Sequence, residues 1–295
     1  LMALALALAR AGLGWAGLGW AAVFNLTNRF NLGDGRQSPN GASPLFYGES
    51  TVGIAGPFGS LRAGRGMTPM WVFDERYDPW ANYQIVSSIA WYVFHPSYRT
   101  DPYNNGAFGD VSRLNNGLFY DSPTWQGWHA HASVGVDKHT APDVFGNVDQ
   151  VRPVAASLNY DAGPWSGMLT AERNSARDNT WFAGVTYDVG AVKVMGSYSQ
   201  TRLSAASQTF LGDATARRTA ATLGAAWNLS GAVTLKAGIG RDFQGYGADG
   251  LTDYASLGAD YALSKRSTLY VSGGVQKGAR VSDIRRIGAG MSHTF

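Results

Sequence analysis

Apolar and polar residues alternate along most of the chain from Ala21 onward, and a period of two is the signal of a β-strand. In Trp181–Val189 one row carries Trp, Ala, Val, Tyr and Val, while the other row carries Phe, Gly, Thr and Asp. Each such segment predicts a strand with one apolar face and one polar or tiny face, and about 14 strands are predicted in this way. The clearest segments are 24–30, 154–161, 181–189, 192–199, 221–229, 233–240, 269–276 and 286–295.

The connections between these segments are alternately short and long. This order distinguishes between two folds that are both compatible with a period of two. A soluble β-sandwich and a membrane barrel both show strands that alternate in this way. Tight turns such as Asp161–Pro164 and Ser230–Gly231 are each followed by a longer connection further along the chain. That order is typical of an antiparallel up-and-down transmembrane β-barrel, in which the sheet closes because backbone groups in hydrocarbon must pair. The sequence therefore predicts an all-β barrel.

The longest connection lies between two alternating segments, Gly59–Arg65 and Val111–Tyr120. The residues between them are rich in Trp, Tyr, Pro, Asp and Asn. Connections of this length without regular structure of their own are uncommon in compact soluble domains, and they are often functional. A barrel with a wide polar interior has room for such a loop. We therefore expect residues 66–110 to fold inward and to narrow a pore.

Composition agrees with a chain that faces two environments. Charged residues make up 15% of the 295 residues, below the roughly 25% of soluble domains. The net charge of +3 is small and scattered, so no nucleic-acid partner is expected. The absence of cysteine excludes disulfides, zinc–thiolate sites and cysteine nucleophiles. No segment reaches the roughly 18 apolar residues of a transmembrane helix.

The first 20 residues do not follow the alternating pattern. Leu1–Ala9 is an apolar run that stops at Arg10. One interpretation is the apolar region of a signal peptide whose basic start is missing, and the other is a helix or a disordered end. We therefore predict an atypical N-terminal segment over residues 1–20, either a signal-peptide remnant or a truncated start. The barrel itself is predicted over residues 21–295.

Several stretches carry a resemblance to a known family. They are Val23–Leu26, Phe30–Leu32, Ser50–Gly59, Leu61–Arg65, Thr68–Pro69, Asp78–Trp80, Arg113–Gly117, Tyr120–Pro123, Leu263–Tyr270 and Gly288–Phe295. Taken in this order and at these spacings, they resemble the Gram-negative general-diffusion porins, especially the β-proteobacterial group. The resemblance implies sixteen strands, a homotrimer in the lipid of the bacterial outer membrane, and a third loop folded into the lumen. It also implies passive diffusion of ions and small hydrophilic solutes without a cofactor, and a C-terminal Phe295 that the barrel-insertion machinery reads. Two strands would then precede Val23, and Leu1–Trp20 is a poor match for them.

In these porins the narrow zone opposes acidic groups of the loop to basic groups of the wall, and the field between them sorts solutes by charge. Asp78-Pro-Trp matches the family's loop motif, and Arg113 matches a family arginine. Alternation places Arg113, Asn115 and Gly117 on the lumen face. For the acidic residues a solvated loop charge is the alternative. The predicted constriction residues are Asp74, Glu75, Asp78, Arg113, Arg62 and Arg29.

Two histidines, His129 and His131, share one face of a predicted strand, with Asp137 and His139 nearby. A metal site would need further ligands, and polar lumen residues explain the group more simply, so no metal and no enzyme is predicted. No Gly-x-Ser-x-Gly, phosphate-loop or His-Glu-x-x-His motif is present. The alternatives to a general channel are a substrate-specific channel, a barrel enzyme that uses the histidines, and an adhesin.

Overall fold

A computed structural model describes residues 7–9, 12–14, 19–28, 45–106, 111–136, 151–212, 214–246, 251–278 and 282–294. Four residues that the sequence singles out lie outside the described residues. They are the predicted pore residue Arg29, the C-terminal Phe295, and the potential metal ligands Asp137 and His139.

Sixteen strands lie in these described ranges, and 14 of them follow Ala21, as the alternation predicts. The all-β, antiparallel, up-and-down fold is thereby confirmed. The strands are β1 (Ala7–Ala9), β2 (Gly12–Gly14), β3 (Ala21–Asn28), β4 (Glu49–Gly56), β5 (Gly59–Met67), β6 (Arg113–Asp121), β7 (Trp128–Gly135), β8 (Val154–Ala162), β9 (Trp165–Arg173), β10 (Asn179–Asp188), β11 (Val192–Arg202), β12 (Arg217–Asn228), β13 (Val233–Tyr246), β14 (Leu251–Ala262), β15 (Ser267–Gly278) and β16 (Ile284–His293).

The chain divides into two compact units. The first unit contains Leu1–Val72, Asp101–Leu158 and Glu172–Arg177. Within it, β3 to β7 pair antiparallel, each strand with the next along the chain. The second unit contains Phe73–Thr100, Asn159–Ala171 and Asp178–Phe295. Within it, β10 to β16 follow the same rule.

The two short strands β1 and β2 both pair with β3. Ala7 lies opposite Asn28 and Gly12 lies opposite Val23, so the two pieces keep one register on β3. The sequence pattern did not indicate strands here. Backbone hydrogen bonds to the edge of β3 do not require side-chain alternation, which is why the pattern misses them.

The faces of the strands are distributed in the opposite sense to those of a soluble protein. Exposed positions carry large apolar side chains, and positions on the other face carry buried hydroxyls, amides and small residues. Ile287 on β16 is 84% exposed and Leu257 on β14 is 70% exposed. Exposed apolar residues in the second unit include Leu169, Trp181, Val185, Leu223, Trp227, Ile239, Tyr261, Leu269, Val271 and Met291.

Aromatic residues lie near several strand ends on the exposed face. Trp165 and Tyr187 pack against each other with ring centroids 4.2 Å apart. Amphipathic rings are favoured at a membrane–water interface. Tyr270 is different, because it does not belong to the exposed face. It is only partly exposed, and its hydroxyl lies against Gly290, its partner on β16.

The helices of the described chain are short. They are Pro69–Phe73, the 3₁₀ turn Asp74–Tyr77, the π-helix Ala90–Phe94, His95–Tyr98, the 3₁₀ turn Asn104–Gly106, and Ala205–Leu211.

None of the helices in the described part has the length and apolar character needed to cross a membrane.

Candidate functional site

The predicted constriction loop contains a folded segment, Phe73–Thr100, which belongs to the second unit. Alternation predicted no regular structure here, yet the segment forms a 3₁₀ turn, a π-helix and a short α-helix. Its apolar side chains Tyr77, Trp80 and Phe94 are almost fully buried. Burial of one large apolar side chain stabilises by about 1.5–3 kcal/mol. The segment therefore has its own packed core against the sheet.

The segment packs on one face of β10–β16, which we call the loop-covered face. A Cβ atom added at Gly184 would lie 2.5 Å from the Tyr77 ring, and one at Gly224 would lie 2.5 Å from Pro79. Only a residue without a side chain allows this approach. The glycines of the loop-covered face that contact the segment are Gly184, Gly224, Gly238, Gly240, Gly258 and Gly288.

Polar contacts fix the segment to the same face. The hydroxyls of Ser97 and Ser199 are 2.6 Å apart, and Gln84 Nε2 donates to Asp260 Oδ1 at 3.1 Å. Thr100 Oγ1 donates to Asp178 Oδ2 at 2.5 Å. Hydrogen bonds of this kind contribute roughly 0.5–1.5 kcal/mol each. They hold the segment at a defined height on the sheet.

The predicted acidic residue Asp74 lies inside the segment and is 0% exposed. It accepts hydrogen bonds from His95 Nε2 at 3.0 Å, from Asn82 Nδ2 at 3.0 Å and from the Tyr98 hydroxyl. Its carboxylate therefore holds the fold of the segment together and does not face solvent.

Asp78 is placed in a similar way and is 3% exposed. It accepts from the backbone N–H groups of Trp80 at 3.2 Å and Asn82 at 3.1 Å, and from the Ser88 hydroxyl. Burial raises the pKa of the Asp78 carboxyl, and these hydrogen bonds partly oppose that effect. The family motif Asp78-Pro-Trp is thus a structural turn in this chain.

Asn82 joins these two carboxylates. Its side-chain amide donates to Asp74, its backbone N–H donates to Asp78, and its carbonyl accepts from Trp91 Nε1 at 2.8 Å. Its φ of 62° lies in the left-handed region that Asn tolerates better than most residues. No sequence motif marked this residue.

Glu75 is the predicted acidic residue that stays partly exposed. Burial raises the pKa of its carboxyl, and the neighbouring Asp74 acts in the same direction, while Arg76 lowers it. Arg76 itself pairs with Asp161 at 2.8 Å. Glu75 is therefore the predicted loop acid that can place its charge toward solvent.

The two described wall arginines, Arg62 and Arg113, lie in the first unit. Arg62 on β5 pairs with Asp121 at 3.0 Å, and Asp121 also contacts His131 Nδ1 at 2.7 Å. His129 Nδ1 lies 2.6 Å from His131 Nε2, so the two imidazoles share a hydrogen bond. No group of three potential metal ligands is found among the described residues. This cluster connects β5, β6 and β7 near their short turns.

Arg113 lies at the start of β6 and is 3% exposed. Its Nε donates to the Gly48 carbonyl, and its Nη1 donates to Ser112 Oγ at 2.8 Å. The register between β5 and β6 shifts between Gly64 and Gly66, so the expected alternation of Arg113, Asn115 and Gly117 does not hold through this point. The irregularity has no signal in the alternating pattern.

Arg65, the last residue of an alternating segment, lies beside this irregularity. Its Nε donates to the Tyr47 carbonyl at 2.8 Å, and its Nη1 donates to Asn115 Oδ1 at 2.6 Å. The guanidinium also lies 4.7 Å from the centroid of the Tyr47 ring. The structure thus places the acidic candidates in one unit and the described basic candidates in the other.

Comparison with known proteins gives a consistent result. A family model described as Gram-negative porin matches residues 11–279. Outer membrane porin protein 32 of Delftia acidovorans is 28% identical over 165 residues, which are 53% of this chain and 44% of that protein. The matched part thus spans less than half the length of that relative.

Solved porin structures share the fold. The anion-selective porin from Comamonas acidovorans superposes with a TM-score of 0.73 at 20% identity, over 97% of this chain and 88% of that one. A loop-deletion mutant of OmpT from Vibrio cholerae gives 0.66 at 13% identity, over 96% and 88%. Salmonella typhi OmpF gives 0.65 at 13% identity, over 97% and 88%.

Proposed function

The chain belongs to the Gram-negative porin family, and from this premise we propose that it forms a water-filled channel in the bacterial outer membrane. Ions and small hydrophilic solutes would cross it by passive diffusion. The observation that carries the proposal is the seating of Phe73–Thr100 on a face of glycines and hydroxyls, while the opposite face of the same strands exposes Leu, Ile, Val and Trp.

The two faces suit lipid and water respectively. Placing a charged side chain on the lipid face of a membrane barrel costs about 2–4 kcal/mol at the midplane. In the second unit the exposed apolar residues are those expected to contact lipid. The loop-covered face carries hydroxyls and ion pairs such as Lys236–Asp260 at 2.7 Å. The family and the fold are those of a channel rather than of an enzyme.

The predicted constriction residues divide into two roles in this proposal. Glu75 and Arg62 line the pore in this proposal, because both are partly exposed. Glu75 supplies a pore charge, whereas the charge of Arg62 is largely balanced by Asp121. Asp74, Asp78 and Arg113 are buried, so they hold the loop and the strand end in place. Arg29 keeps the pore role that its position in an alternating segment predicts, and Phe295 keeps the role in recognition by the barrel-insertion machinery that the resemblance implies.

We also propose assembly as a homotrimer in outer-membrane lipid, as the resemblance implies. Purified protein should run as a high-mass species on a gel without heating and as a 31.5 kDa chain after heating. A single band at the monomer position under both conditions, from protein that conducts, would contradict the trimer and leave the channel intact.

Planar-bilayer recording tests the channel itself. The purified full chain in detergent should produce stepwise current increases whose size grows with KCl concentration. Protein that has a folded β-signature but gives no steps would overturn the proposal. Block of the current by low concentrations of one solute would instead favour a substrate-specific channel.

A further inference from the structure

Arg286 on β16 lies on the loop-covered face. Its guanidinium carbon is 4.0 Å from the centroid of the Tyr92 ring, which belongs to the loop's π-helix. The next residue, Ile287, points to the exposed face, and Gly288 returns to the loop, where an added Cβ would lie 2.9 Å from Val86. The strand therefore directs Arg286 toward the loop and not toward lipid.

Three other cations of the second unit are paired with carboxylates, whereas Lys193, near one end of β11 on this face, is exposed to solvent. Within the part of the chain that the structure describes, Arg286 makes no such ion pair and is partly exposed. Its charge is therefore not cancelled by a carboxylate, whereas a paired cation presents little net field. Among the described residues, Nη1 of Arg286 is buried without a hydrogen-bond partner, so the guanidinium keeps an unused donor. The paired cations are Arg76 with Asp161 at 2.8 Å, Lys236 with Asp260 at 2.7 Å, and Arg218 with Asp242 at 2.8 Å.

The ring beneath Arg286 is fixed in place. Tyr92 packs against Tyr254 with centroids 4.8 Å apart. The Tyr254 hydroxyl donates to the Val86 carbonyl at 2.5 Å, which ties the wall to the loop. Arg286, Tyr92 and Tyr254 therefore form a stack. A guanidinium held on an aromatic ring has less rotamer freedom to lose when it meets an anion.

A second arginine of the loop contacts the neighbouring ring. Arg99 lies 5.4 Å from the centroid of Trp91. Arg99 is exposed, so water and salt screen its charge more strongly than that of Arg286. The stacked residue is the better candidate for a fixed charge.

We propose that Arg286 sets the charge preference of the channel, attracting anions and above all small organic carboxylates. The inference rests on the proposed function. A guanidinium presents N–H donors in one plane, in a fork that matches the two oxygens of a carboxylate. An unneutralised charge on a pore wall also raises the local concentration of ions of opposite sign.

Reversal potentials in a KCl gradient test the charge preference. Arg286→Gln should lower the chloride-to-potassium permeability ratio about twofold or more, and the shift should shrink in 1 M salt, where screening acts within about 3 Å. Arg285→Gln is the matched control, because Arg285 precedes it on β16, carries the same charge and is exposed. The control should keep the wild-type ratio.

Two further variants separate charge from geometry. Arg286→Lys keeps the positive charge but loses the planar fork, so it should keep the chloride preference and lower the acetate-to-chloride permeability ratio. Tyr92→Leu keeps the arginine and removes its ring, and it should also lower the acetate ratio. Heat-modifiable migration on a gel confirms that each variant is folded.

The outcomes separate the two proposals. If the wild type conducts and folded Arg286→Gln has an unchanged permeability ratio, the inference about Arg286 is wrong and the channel stands. If Arg286→Lys lowers neither ratio, the carboxylate preference is wrong and the attraction of anions remains. If the wild type does not conduct, the channel and this inference both fall.

Discussion

The loop-covered face and the exposed face of β10–β16 belong to the same strands but differ in side-chain size and in what covers them. On the exposed face, large apolar side chains such as Leu257 and Ile287 have no described covering segment. On the loop-covered face, glycines leave the space that Tyr77 and Trp80 fill. The difference shows that small residues on a strand can leave room for another segment to pack, and that they need not indicate weak packing.

The charged groups of the second unit follow a similar division. Inside the loop, Asp74 and Asp78 are satisfied by amides, hydroxyls and an imidazole. On the wall, Asp161 and Asp260 are paired with cations. The loop carboxylates therefore organise a fold, while the wall carboxylates cancel charge. Arg286 departs from the wall pattern, which is why its contribution to the pore field is expected to be large.

Asp78→Ala should have the largest effect on the loop. It leaves the Trp80 and Asn82 N–H groups and the Ser88 hydroxyl without their acceptor, at about 1–3 kcal/mol each, although it also removes a buried charge. We expect the loop's free energy of unfolding to fall by about 3 kcal/mol. Hydrogen exchange of residues 73–100 measures this change.

Asp188→Ala is the control for that variant. Asp188 is exposed at a turn, where it accepts from the Gly190 N–H at 2.9 Å. Its loss should leave exchange in the loop unchanged. Full protection of the loop in Asp78→Ala would show that the buried carboxylate does not organise it.

Gly184→Val tests whether the glycines provide the space in which the loop packs. Its effect should be somewhat smaller than that of Asp78→Ala. The new Cβ would meet the buried Tyr77 ring at 2.5 Å, and overpacking of this kind costs about 1–3 kcal/mol. The population of displaced loops should rise about 5- to 150-fold, with a higher mean conductance. Single-channel recording and limited proteolysis report both changes.

Gly167→Val is the matched variant on β9, because the nearest atom that its Cβ would meet lies 3.7 Å away. Val suits a strand better than Gly, so this variant should keep the wild-type conductance. Equal effects of the two variants would show that the loss arises in the strand and not at the loop.

Glu75 should give a smaller, pH-dependent effect. Its pKa is raised above the usual glutamate value of about 4.3. The carboxyl therefore takes up a proton, and loses its negative charge, at a higher pH than an ordinary glutamate does. As the pH falls through that raised pKa, the anion-to-cation permeability ratio should rise by about twofold or less. Reversal potentials at about pH 4 to pH 7 follow this change.

Glu75→Gln removes the titrating group without changing its shape. Its permeability ratio should be high at neutral pH and flat through the same pH window. A variant that retains the wild-type pH profile would assign the titration to another group.

The strands could be predicted from the sequence because each face meets a different environment over its whole length. Alternation in 192–199 and 269–276 predicted β11 and β15 with the correct neighbours in chain order. The interior of the loop could not be predicted in this way. Asp74 and Asp78 are acidic in sequence whether they face a pore or a buried amide, and only the tertiary contacts distinguish the two.

Other features were missed for more specific reasons. The shift beside Arg65 inserts a residue without changing the composition of the strand. Arg286 lies in a segment that was correctly predicted as a strand, but its partner Tyr92 is far away in sequence. Alternation correctly predicted that the glycines of the wall share the face with small side chains. The loop residue that packs against each glycine could not be predicted from the sequence.

The position of Asn82 has a consequence for how the segment Phe73–Thr100 would unfold. One residue ties both carboxylates and Trp91 together through its amide, its N–H and its carbonyl. Loss of that junction releases three parts of the loop simultaneously, so partial loosening has no stable arrangement. The segment would then lose its structure cooperatively, as one unit.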